Sequence, residues 1–159
     1  MPDNHSKAPI ERKTIRVISN LARLDGVTTN QYQAKNTFIG NGPVLWNGIR
    51  LFIKAFRYDA VVVSSQTRLL LVFCVLQWVF PIQRCKVIGV DYILPEPCGL
   101  KQKLVARLKG MFLRKVDVFI LHFVDTSGYE RHYGIPHARC VFVPFKVNYV
   151  ESVLPADQL

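Results

Sequence analysis

The residues of this chain best suited to chemistry are Asp91, His122 and Arg131, with Ser64, Ser65 and Tyr92 as polar neighbours in kind. Most of them close an apolar run. Ser64 and Ser65 follow Ala60 to Val63, Asp91 and Tyr92 follow KVIGV, and His122 ends DVFIL. A carboxylate in such a place can take a proton from an acceptor hydroxyl as a general base. It can equally orient an acceptor, or cap the stiff turn that Pro95 and Pro97 impose. Arg131 can grip a phosphate through two parallel hydrogen bonds, or lie solvated. Strand ends are often polar only because they turn, so each residue carries weight only as part of a rim.

Other chemistries are set aside. His122, His132 and His137 match no common zinc spacing. The cysteines Cys74, Cys85, Cys98 and Cys140 form no metal-ligand pair, and Cys74 and Cys140 sit in apolar runs as buried thiols of a cytosolic protein. No GxxxxGK[ST] loop, GxGxxG turn or GxSxG elbow occurs. The pattern thus implies neither a metal nor a cofactor held by this chain.

The elements that must position the rim follow from periodicity. Ile15 to Ser19 reads as a strand, Asn20 to Thr29 as a loop containing Gly26, and Asn30 to Phe38 as a weak helix. Leu45 to Phe56 places Leu45, Ile49, Phe52, Ile53 and Phe56 at helical spacing. Ala60 to Val63 is an unbroken β-branched run, as in a strand buried on both faces. Leu69 to Phe80 has Gln77 as its only polar residue and is too short to cross a bilayer. It is either a buried crossover helix or one whose Trp78 and Phe80 dip into lipid. Lys86 to Val90 and Asp117 to His122 are further strands, and Val141 to Val143 is the last. Gly99 to Val116 is a helix whose Leu100, Leu104, Val105, Leu108, Met111 and Phe112 gather on one face, with Lys103, Arg107 and Arg114 on another. Thr126 to Tyr133 is a short helix, capped by Thr126 or Asp125 and closed by Gly134. Strand and helix alternate throughout, which predicts an α/β fold: a three-layer, Rossmann-like domain with an open, mostly parallel sheet. Ligands of such sheets gather beyond the C-terminal strand ends.

The chain has 159 residues, half of them hydrophobic, and a formal charge of +10. That length suits one domain, here 15–149, between a polar tail at 1–14 without a secretory signal and a tail or linker start at 150–159. The charge favours an anionic partner: phosphate, lipid surface or nucleic acid. No basic–aromatic stacking platform or nucleic-acid motif is present, which makes nucleic acid the weaker candidate.

Asp117, the run Val118 to Leu121, His122, then Tyr133, Gly134, Ile135, Pro136 and Pro144 form a strand, a helix closed by Tyr-Gly-Ile-Pro, and a strand ending in proline. This segment resembles the close of the N-terminal, acceptor-side domain of GT-B glycosyltransferases of the family 4, or group 1, type. The resemblance implies half of a GT-B enzyme. The nucleotide-sugar donor would be held by a C-terminal domain that this sequence lacks, so the chain alone is expected to be inactive and to bind no cofactor. The loop after the first strand, here with Gly26, would lie near the donor. Ser64, Tyr92, His122 and Arg131 would touch substrate. Where retaining members carry histidine this chain has Asp91, which suits an inverting general base. The implied acceptor is lipid-linked or a growing polysaccharide, at the inner face of the cell membrane, and the implied location is cytoplasmic and peripheral. Lys103, Arg107 and Arg114 would contact the anionic lipid. The contrasting class is a non-enzymatic basic module that binds anionic lipid or nucleic acid.

Overall fold

A computed structural model describes residues 12–143, apart from 25, 30, 41, 82–83 and 123–125. Residues 1–11 of the expected tail 1–14, the expected tail 150–159, Asp125 and Pro144 lie outside the described residues, while Lys13 and Thr14 of the expected tail belong to the first strand. Six strands form one open sheet: β1 Lys13–Ser19, β2 Tyr32–Phe38, β3 Ala60–Ser64, β4 Lys86–Val90, β5 Val118–Leu121 and β6 Cys140–Phe142. All pairings are parallel, in the order β2-β1-β3-β4-β5-β6. The fold is the expected Rossmann-like α/β domain.

The helices are α1 Val44–Ala55, α2 Thr67–Val79 and α3 Leu100–Leu113, with a single π-helical stretch at Tyr129–Tyr133. They pack side by side, α1 on α2, α2 on α3, and α3 on the π-helical stretch. The main core lies between this layer and the sheet, where Ile18, Val61, Val63, Val87 and Phe119 meet Leu51, Leu70 and Phe73. The third layer is thin. Val17, Ala60 and Val62 on the opposite sheet face are covered by Leu21 and Leu24 of the β1–β2 connection.

Two aspartates staple the strand starts. Asp59, just before β3, accepts the Arg16 backbone N–H of β1 at 2.8 Å. Asp117, just before β5, accepts the Val87 N–H of β4 at 2.8 Å. Each carboxylate satisfies a backbone donor at a point where the ladder ends.

Of the region read as a weak helix, Asn30 to Phe38, the part Tyr32–Phe38 is instead β2. Its residues pair with all of β1, Lys13 with Tyr32 through Ser19 with Phe38. The local signal was feeble, and the ladder on β1 outweighs it. Residues 26–29 fold back along the outer edge, where Ala34 donates to Val27 and accepts from Gly26.

The orientation of α3 also departs from expectation. Its buried residues are Ala106, Gly110 and Leu113. The apolar stripe faces outward, with Leu100 89% and Leu104 74% exposed. The cause is at Gly110, where a Cβ would stand 1.7 Å from the Tyr133 carbonyl oxygen. Helix and backbone approach so closely that only the small-residue side of α3 can face inward. Its leucines are then turned to the surface.

No helix among the described residues is long and apolar enough to cross a membrane. On α2, Leu69, Leu70, Phe73 and Cys74 are buried as in a crossover helix, while Trp78 and Phe80 stand on the exposed side.

Candidate functional site

The C-terminal strand ends form the rim. The chain reverses its direction of travel across the sheet between β1 and β3, the position where open α/β sheets open a crevice. There the Asn20 side chain spans the gap. Its Nδ2 donates to the Ser64 carbonyl at 2.8 Å and its Oδ1 accepts the Ser64 N–H at 2.8 Å. Ser19 Oγ donates to the Leu21 carbonyl at 2.8 Å and lies 2.9 Å from Asn36 Oδ1. Sequence reasoning placed Asn20 only at a strand end, and its clamp on β3 had no local signal. Asn20→Ala should therefore strand both backbone groups of Ser64 and cost about 2 kcal/mol, read as a lower urea midpoint with unchanged slope. A loss under a quarter of that would mean water replaces the clamp.

Ser65 and Asp91 share an unusual device. Both are non-glycine residues with left-handed backbones, at φ 53° and 55°. Each donates its N–H to the neighbouring strand, Ser65 to Val90 at 3.0 Å and Asp91 to Ile120 at 2.9 Å. The ladder thus runs one residue further while the chain turns away. Aspartate tolerates this region better than serine, and such strain concentrates at functional sites.

The register Val90 with Ile120 sets Asp91 beside the end of β5. His122 stands there, its Nε2 3.8 Å from Asp91 Oδ1, both side chains about a fifth to a third exposed (20% and 30%). His122 Nδ1 lies 2.7 Å from the Val143 carbonyl. A carbonyl only accepts, so the proton sits on Nδ1 and the ring orientation is held. Asp91 Oδ1 is shielded from solvent and accepts no hydrogen bond among the described residues. Ser64 and Ser65 complete the rim next to it, their hydroxyls 3.3 Å apart.

Other candidates go elsewhere. Tyr92 is buried in the core, 1% exposed, with its hydroxyl 3.4 Å from the Gln66 carbonyl. Its backbone carbonyl receives the Tyr129 hydroxyl. It supports the turn after β4, and its side chain lies in the core and not on the rim. Gly26, at φ 76°, pairs with Ala34 in the middle of β2. That is four residues, or about 13 Å, from the rim end of the strand. Arg131 is exposed in a separate groove of ≈ 290 Å³ with Glu96, Ser127 and His132. His132 Nε2 lies 3.1 Å from Glu96 Oε1 there. Lys103 and Arg107 are exposed on α3. Arg114 is only partly free for an external anion, because its Nε donates to the Gly134 carbonyl at 3.0 Å and closes the π-helical stretch.

A second groove, ≈ 410 Å³, opens where α1 and α2 begin, between Asn47 and Arg68 beside Ser65. Arg68 is a basic residue near the rim that periodicity did not single out. The cysteines are all free. Burial pushes the Cys74 thiol up to about 12 and the Cys85 thiol to about 11, so both stay protonated at neutral pH and neither is a nucleophile. Burial likewise raises the Tyr92 and Tyr129 hydroxyls, the latter to about 12. Among the described residues no cluster of three potential metal ligands occurs.

Compared with protein-family models, curated proteins and solved structures, the chain has no match.

Proposed function

We propose that this chain is the acceptor-side half of a GT-B glycosyltransferase of the family 4 type. It sets an acceptor hydroxyl, lipid-linked or on a polysaccharide, against a nucleotide sugar held by a second domain. The observation that carries this reading is the pair Asp91 and His122 at the C-terminal ends of β4 and β5. Asp91 serves as the general base through the exposed part of its carboxyl, while its shielded Oδ1 faces His122 Nε2. His122 is a positioning residue whose Nδ1–H bond to Val143 holds the ring against that carboxylate. Departure of the nucleotide and attack by the acceptor from the opposite side would invert the anomeric carbon. Ser64 and Ser65 offer hydroxyls to the same ligand. Support also comes from the parallel sheet and from the Tyr133–Pro136 turn, in which Gly134 adopts the left-handed conformation at φ 65°.

The test is sugar-nucleotide turnover by the 159-residue chain, alone and with a donor-binding domain supplied. The chain alone should give none, because the rim has one wall. Turnover by the chain alone would overturn the half-enzyme reading. Failure in both settings would overturn glycosyl transfer.

A further inference from the structure

We propose that the outer face of the α1–α2–α3 layer docks on an anionic lipid bilayer and inserts apolar side chains into it. The inference goes beyond the transfer reaction and stands on this surface alone. Each helix turns one apolar side to the core and a second one outward. On α1, Trp46 and Ile53 are 57% and 63% exposed, and a spacing of seven, about two turns, puts them on one line. On α2, Val75 and Trp78 are neighbours three apart, with Trp78 55% exposed. On α3, Leu104 and Leu108 are four apart, 74% and 54% exposed. Exposed apolar residues repeated on three adjoining helices go beyond the scattered single ones of an ordinary surface.

The charge on these helices has one sign. The three helices contain Arg50, Lys54, Arg68, Lys101, Lys103, Arg107 and Lys109 and no Asp or Glu. That combination selects the occupant. A second copy would bring like charges together. A nucleic acid would use the cations and leave the α3 leucines in water. A bilayer satisfies both, with leucine and tryptophan at the acyl boundary and lysine and arginine among anionic headgroups. Since no described helix can span a bilayer, the attachment lies in the interface plane.

Both tryptophans of the chain, Trp46 and Trp78, sit on this face, so emission reports its occupancy directly. The full chain is mixed with vesicles of phosphatidylcholine plus phosphatidylglycerol, and separately with pure phosphatidylcholine. Co-sedimentation and a blue shift are expected with the anionic vesicles, and little of either with the neutral ones. K103Q/R107Q should weaken binding about 30-fold, the combined effect of two surface charges. L104E/L108E should abolish both signals while circular dichroism stays unchanged. Three results would overturn the proposal: no binding to anionic vesicles, binding without an emission shift, or a shift that grows with protein concentration in the absence of lipid. Tighter retention on an oligonucleotide than on anionic vesicles at matched salt would also overturn it.

Discussion

Asp91→Asn is expected to lower turnover of the complete two-domain enzyme roughly 100-fold or more, the lower range for loss of a general base, while thermal stability stays close to wild type. The amide keeps the shape and can adopt the left-handed backbone that position 91 requires, φ 55°. It cannot accept the proton. Stability should hold, because the buried Oδ1 accepts no hydrogen bond among the described residues that the change would remove. If the carboxylate only caps the turn after β4, the outcome reverses: turnover persists and stability falls by about 1 kcal/mol, by analogy with other capping losses. His122→Gln separates base from positioning residue. It removes the ring held on Val143 at 2.7 Å, so it should depress turnover less than Asp91→Asn and shift the pH profile. Turnover and melting of both variants, measured side by side, decide the matter. Near-wild-type turnover of Asp91→Asn removes this residue from the chemistry.

Gly110→Ala should be among the most destabilising single changes in the domain, by about 3 kcal/mol, the upper end of the ordinary overpacking range. The new Cβ would lie 1.7 Å from the Tyr133 carbonyl oxygen and 2.7 Å from its carbon. Both are backbone atoms and cannot rotate away. The backbone there is also tied down, since Gly134 is left-handed and its carbonyl accepts the Arg114 Nε–H at 3.0 Å. Helix α3 or the π-helical stretch must therefore move. Gly128→Ala is the matched control, because among the described residues its Cβ meets nothing closer than His132 Cδ2 at 3.9 Å, and it should be nearly neutral. Urea unfolding of the two variants makes the comparison. Equal midpoints would mean that the approach of α3 to Tyr133 is not a tight constraint.

Short-range pattern by itself determined the parts of this protein that depend on neighbours in the chain. Val61, Val62 and Val63 are β-branched and consecutive, and they form a strand buried on both faces. Leu45, Ile49, Phe52, Ile53 and Phe56 recur at helical spacing and the segment forms α1, although Leu45, Ile53 and Phe56 are exposed and Leu51, Phe52 and Ala55 make its inner side. Gly134 followed by Ile135 and Pro136 ends a helical turn because a left-handed residue is needed there. The alternation of such segments was enough to predict a parallel α/β sheet and a polar rim at its C-terminal edge. Residues 30–38 were not legible, because Tyr32–Phe38 becomes a strand only when β1 supplies its ladder. The rotation of α3 was not legible either. Its leucine stripe has the stronger periodicity, but the close approach of Gly110 to Tyr133 decides which side is buried. The Asn20 clamp on Ser64 joins residues 44 apart, and no local signal reports a contact that only strand order creates. Asp91 and His122 could each be seen as polar strand ends. That they stand 3.8 Å apart follows from the register of β4 on β5, and register is a property of the folded sheet.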